Sequence, residues 1–150
     1  MKPVRRFDDF SKQGIVKKQA PDVSRAQFLV EESKQNHDVL LGLLKKVEIN
    51  DKNANSIIKL AYDVFMGLVR AKMLLDGYHA AGQGAHEAEV SYLRLVGFSE
   101  NDVQFADQLR YFRNGMLYYG KIMDEEYAKK VLGFLDMKYS ELREITEIKL

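Results

Sequence analysis

The chain has 150 residues, 46% hydrophobic and 30% charged, which is the composition of one globular domain rather than of a disordered segment. Its 23 basic and 22 acidic residues leave a net charge of +1, which argues against a surface that binds nucleic acid throughout but leaves room for a local basic site. Cysteine is absent, so disulfides, thiolate metal sites and cysteine nucleophiles are excluded, and no apolar run approaches the roughly 20 residues that span a bilayer. Residues 1–20 lack the apolar core of a signal peptide, so a cytoplasmic location is expected.

Residues 1–22 read as a basic arm ahead of a helical domain at 23–150. Lys2, Arg5, Arg6, Lys12, Lys17 and Lys18 stand there against Asp8 and Asp9, with Phe7, Phe10, Ile15 and Val16 interspersed. An irregular segment docked through its aromatics and a solvated tail both fit that pattern.

From 24 to 47 the period is helical. Ala26, Val30, Ser33, His37, Leu40, Leu41, Leu44 and Val47 share one face, and Asp22 or Ser24 caps the start. A second helix is predicted over 50–78 with Asn50 as its cap. Its stripe is Ile57, Leu60, Ala61, Val64, Leu68, Ala71, Leu75 and Tyr78. Tyr62, Met66 and Met73 lie on other sides, which marks a central helix. The glycine-rich break Gly77-Tyr78-His79-Ala80-Ala81-Gly82-Gln83-Gly84 follows, then a short helix over 85–96 ended by Gly97. Ser99-Glu100-Asn101-Asp102 opens a fourth long segment that stops near Gly120. Asp124 caps a last helix running towards Lys149, with Tyr127, Val131, Leu132, Leu135, Tyr139, Leu142 and Ile145 inward. Runs of β-branched residues at period two are missing. The expected fold is all-α, an antiparallel up-and-down bundle of four long helices and one short one.

The segment from Ser99 to Gly120 carries the chemistry. Phe105, Leu109, Phe112 and Met116 form a core face. Asp107, Arg110, Tyr111, Asn114 and Tyr118 form a second face, with Arg113 on the flank. Asp107 stands one turn before Arg110 and can orient its guanidinium. A solvated ion pair of these two and packing roles for the tyrosines are the plainer readings. His37 falls in the middle of an apolar stripe and reads as a core or interface residue. His79 and His86 flank the glycine-rich break, which reads as a tight connection or as one wall of a cleft opened by the Arg113 helix. Neither a phosphate-binding glycine motif nor a metal-ligand spacing is present, so no metal and no cofactor are expected.

The stretch Leu109-Arg110-Tyr111-Phe112-Arg113-Asn114-Gly115-Met116-Leu117-Tyr118-Tyr119-Gly120-Lys121 resembles the signature of the HEPN family (higher eukaryotes and prokaryotes nucleotide-binding). The resemblance extends from about residue 23 to the end, with 82–121 most similar to prokaryotic members. The family's ribonucleases carry an arginine, often followed by a polar residue, and a histidine four to six residues later. Arg113-Asn114 matches the first half, and Tyr118 stands where the histidine is expected. The resemblance implies an all-α domain with a phosphate site at Arg113, Asn114 and Tyr118, supported by Asp107, Arg110 and Tyr111. It also implies a homodimer, since Arg113 and Tyr118 lie about 140° apart around one helix and a second subunit would complete the cleft. A nucleotidyltransferase-type partner, as in toxin–antitoxin pairs, belongs to the same implication. The function expected on this basis is RNA or nucleotide binding. The alternative is metal-independent RNA cleavage by Arg113 with Tyr118, His79 or His86. A third reading is a helical dimerisation module. Tyrosine ionises near pH ~10, too high for an efficient general base, which favours binding over cleavage.

Overall fold

A computed structural model describes residues 2–118, Gly120 and 122–147, without the side chains of Leu117 and Tyr118. Four long helices pack together: α2 (Val23–Lys46), α3 (Ala54–Asp76), α5 (Glu100–Tyr118) and α6 (Glu125–Ile145). Helix α3 is the centre. It is apolar nearly all round, with Ile57, Ile58, Val64, Phe65, Met66, Leu68 and Val69 buried, and it touches α2, α5 and α6. The short elements are α1 (Phe7–Lys12), α4 (Ala85–Ser91) and a 3₁₀ turn at Tyr92–Arg94. Strands β1 (Val16–Lys18) and β2 (Tyr78–Ala80) pair antiparallel, with Lys17 opposite His79.

The arm is structured. Phe7, Phe10 and Val16 are buried with Met73, Ala88 and Tyr92 in a second apolar cluster. Arg94 donates to the carbonyls of Val4 and Arg5 and holds Glu100 at 2.8 Å, tying the arm to the start of α5. The helix and strand in this arm replace the expected irregular segment. The short ladder forms because β2 offers its backbone edge to β1, which an absence of long β-branched runs does not forbid.

Three expected boundaries shift for local reasons. Helix α3 begins at Ala54 with Asn53 as its cap, because Asn50 folds a turn instead: its side chain accepts from Lys52 N at 2.8 Å, while Asn53 Nδ2 donates to Glu48 O. It ends before Gly77, which adopts φ +87°; a Cβ there would stand 2.7 Å from Gln19 O, so Tyr78 leaves the helix for β2. The helix expected over 85–96 tightens into its 3₁₀ turn before Gly97 at φ +96°. The caps at Asp22 and Asp124 form as expected, accepting from Arg25 N and Tyr127 N. Along α2 only Ala26, Ser33 and Leu40 are buried, flanked by Val30, His37 and Leu44, so the helix meets its neighbours along a narrow seam. Leu41 and Val47, expected on the buried face, are exposed; Val47 has already left the helix at ψ 146°. His37 stacks on Tyr139 of α6 with ring centroids 3.7 Å apart, and burial lowers its pKa against the pull of Asp38 and Asp136. Lys149, towards which α6 was expected to run, lies outside the described residues.

Candidate functional site

Ser99 Oγ accepts from Asp102 N and starts α5. The helix then buries two sides. Phe105 lies 4.6 Å from Phe134 between ring centroids, and Phe112 meets Tyr127 edge-on at 5.1 Å, which seats one side on α6. Val103, Ala106 and Leu109 enter the main core. This docking decides where the polar residues go. Asp107 is only 5% exposed, and its Oδ1 accepts from Arg110 Nε at 2.7 Å. The solvated ion pair that the sequence allowed is therefore a largely buried one. The charge of Arg110 reaches Tyr62 of α3.

Arg113 lies one turn further. Its Nε is buried and has no hydrogen-bond partner among the described residues. Its charge acts on Asp63 and Tyr62 of α3, which locates the guanidinium beside that helix. Burial raises the pKa of Asp63, and Arg113 and Arg70 pull it down. Burial also pushes the Tyr62 hydroxyl up to about 12, within the field of Arg70, Glu89, Arg110 and Arg113. That hydroxyl likewise has no partner among the described residues. Beyond Tyr62, Arg70 Nε donates to Glu89 Oε2 at 2.8 Å. Burial works against the charge of Arg70, but the charge and hydrogen bond of Glu89 outweigh it and its proton is held more tightly than usual. A polar seam thus runs through the bundle, from Arg113 past Tyr62 to the Arg70–Glu89 pair.

The structure brings Asp107, Arg110 and Arg113 to this seam. Asn114 is half-buried on the next turn, and Tyr111 points outward at 55% exposure. Tyr118 is the last residue of α5, and its side chain lies outside the described residues. His79 and His86 do not join this group. They line a cavity of about 400 Å³ among α2, α3, β2 and α4, to which no described residue of α5 contributes. Of the two readings of the glycine-rich break, a tight connection and a wall of a cleft opened by α5, the structure carries the first: its strand β2 pairs with β1, and the cavity it lines is shared with α2, α3 and α4. Asp63 and Arg70 do border a second cavity of about 240 Å³ with Ser33 and Asn36 of α2.

Sequence reasoning missed Tyr62 and Asp63 of α3, which feel the charge of Arg113, and the Arg70–Glu89 pair beyond them. For Tyr62 and Arg70 the available signal was a polar group on a helix otherwise apolar nearly all round, since such groups are retained there only when paired or used; Asp63 is exposed and Glu89 lies on α4. Chemically the seam offers planar guanidinium donors and a hydroxyl that can bind anionic oxygens, with the carboxyl groups of Asp107, Asp63 and Glu89 beside them. Among the described residues no group of three histidines, aspartates and glutamates could hold a metal ion, and no helix is long and apolar enough to cross a membrane. No protein-family model, no curated protein and no solved structure matches this chain.

Proposed function

We propose that this chain is a HEPN-like protein that binds the phosphate of an RNA or a nucleotide at Arg113, as a homodimer. In this reading its role is regulatory or toxin–antitoxin related, beside a nucleotidyltransferase-type partner. The observation that supports it is the buried Arg113 Nε, which has no hydrogen-bond partner among the described residues, in a site whose charges also reach the likewise unpartnered Tyr62 hydroxyl. A buried donor left unmade costs about 1–3 kcal/mol, and a phosphate oxygen is an acceptor that would recover it. Arg110, fixed by Asp107, adds a second positive charge to the same face.

Binding of a labelled single-stranded RNA and of a mononucleotide, measured by anisotropy and calorimetry, tests this. Arg113→Ala is expected to weaken binding by about 1.5 kcal/mol, a little over tenfold. Unchanged binding with a lower melting temperature would make Arg113 a structural residue. The alternative, metal-independent RNA cleavage, gains support from Asp63, a carboxyl group with a raised pKa beside Arg113. Binding without cleavage is the favoured reading, because Tyr118 replaces the histidine that exchanges protons near neutrality. Weak or absent cleavage in EDTA is expected for the wild type, with activity gained in Tyr118→His. Robust wild-type cleavage abolished by Asp63→Asn would promote the enzyme.

A further inference from the structure

The cavity at the glycine-rich break shares Arg70 and Glu89 with the far end of the polar seam, but no described residue of α5 lines it. It has a volume of about 400 Å³, within the range of sites that enclose small molecules. One wall is apolar, made by Leu29, Met73 and Leu74 from the facing helices α2 and α3. The rim and floor are cationic or rich in N–H donors: Arg25 from the first turn of α2, Arg70 from α3, His79 from β2 and His86 from α4. Glu89 is the one acidic residue in the lining; its Oε2 accepts from Arg70 Nε at 2.8 Å, while its buried Oε1 has no hydrogen-bond partner among the described residues. That bond uses Arg70 Nε, and the Arg70 side chain, which lines this cavity, is still 35% exposed. Arg25 forms no ion pair among the described residues; its backbone N–H serves the Asp22 cap and its guanidinium is left for another anion.

The walls are also built to keep their shape. Gly82 and Gly84 take φ +82° and +89°, and the turn between β2 and α4 is pinned by Ala81 N donating to Ile15 O. Gln19 N donates to Gly77 O and Asp22 N to Leu74 O, which fix the start of α2 beside the end of α3. Two arginines and two imidazoles outnumber the one carboxylate, of which Oε2 is paired with Arg70, around an apolar wall, and this balance favours a ligand with an anionic head and an apolar body. A neutral apolar molecule would leave the cationic rim without a partner, and an inorganic anion would leave the apolar wall in water.

We propose that this cavity is a binding site for a small organic anion, a phosphate monoester or a carboxylate, whose head meets Arg25, His79 and His86 and whose body rests on Leu29, Met73 and Leu74. The two head groups share this chemistry and are separated by the choice of probe.

Calorimetric titration of the full chain with phenyl phosphate, benzoate and benzyl alcohol tests the proposal. Saturable one-to-one binding is expected for at least one of the two anions. Phenyl phosphate alone would identify a phosphate head and benzoate alone a carboxylate head. Arg25→Gln and His86→Gln, both at exposed positions, are each expected to weaken that binding by about tenfold. Arg113→Ala should leave it within about twofold, so this site and the proposed RNA or nucleotide site succeed or fail separately. The proposal is overturned if neither anion saturates by about 10 mM, weaker than any useful small-ligand affinity. It is equally overturned if benzyl alcohol binds as tightly as the anions, or if Arg25→Gln and His86→Gln leave binding unchanged.

Discussion

At the scale of single residues, Tyr62 shows how burial and charge combine. Its hydroxyl sits among three arginines, which favour the phenolate, yet burial wins and the pKa rises to about 12. The sign of the linked stability follows. The unfolded tyrosine ionises near pH ~10, so the folded state holds its proton to higher pH than the unfolded state does. This contribution is fully present below pH ~10 and is lost as the pH rises towards about 12. Burial raises the hydroxyls of Tyr92 and Tyr127 too, with Asp76 accepting from Tyr92, so the three residues share the alkaline loss. Tyr62→Phe is expected to be neutral or slightly stabilising at pH 7, since the hydroxyl has no partner among the described residues. Between pH ~10 and ~12 it should spare up to about 2 kcal/mol of the decline. Thermal melts across that range measure it, and an identical alkaline slope in the variant would show that Tyr62 does not contribute.

At the scale of elements, the approach of α2 to α3 rests on Gly67. A Cβ at this position would run into Ser33 Oγ, and Ser33 is only 2% exposed. Glycine in a helix interior costs roughly 0.5–1 kcal/mol relative to alanine, while overpacking a tight contact costs about 1–3 kcal/mol. The second effect is the larger, so Gly67→Ala should destabilise. Gly133 in α6 has nothing within 4 Å of the same added atom, and Gly133→Ala should stabilise by about 0.5–1 kcal/mol. Ser33→Ala removes the obstructing oxygen, so Ser33→Ala/Gly67→Ala should be at least as stable as Ser33→Ala alone. Urea unfolding of these variants gives the comparison, and additive losses in the double variant would rule out the contact as the cause.

At the scale of the whole molecule, the question is which surface meets a second copy. The outward side of α5 carries Tyr111, and Ile122 just beyond the helix is 79% exposed. The outer side of α2 presents Phe28, Val39 and Leu43. Aromatic residues are favoured at interfaces, which points to the Tyr111 side of α5 for the proposed two-fold dimer. Light scattering at micromolar concentration is expected to give twice the 17.3 kDa chain mass. Tyr111→Ser should shift it towards monomer, while Phe28→Ser should not. A monomeric wild type counts against the dimer, and the reverse pattern moves its axis to α2.

The helical character of this chain was legible from periodicity alone. Asp22, Gly77, Gly97, Ser99 and Asp124 each mark a helix boundary through a local preference that needs no distant partner. The α5 residues Asp107, Arg110 and Arg113 were also legible as a group, because residues three or four apart share a helix face whatever surrounds it. Their surroundings were not legible. Whether that face met solvent or α3 depended on α5 docking through Phe105 and Phe112 onto α6, more than a dozen residues away in sequence. The same holds for Asp63, which feels the charge of Arg113 on α5, for Glu89, which pairs with Arg70 of α3, and for the arm, whose strand exists only where β2 offers its edge. Local backbone preferences act over a few residues and are written in the sequence. Burial, long-range ion pairs and cavities arise only when distant segments meet, and here the tertiary structure alone decided them.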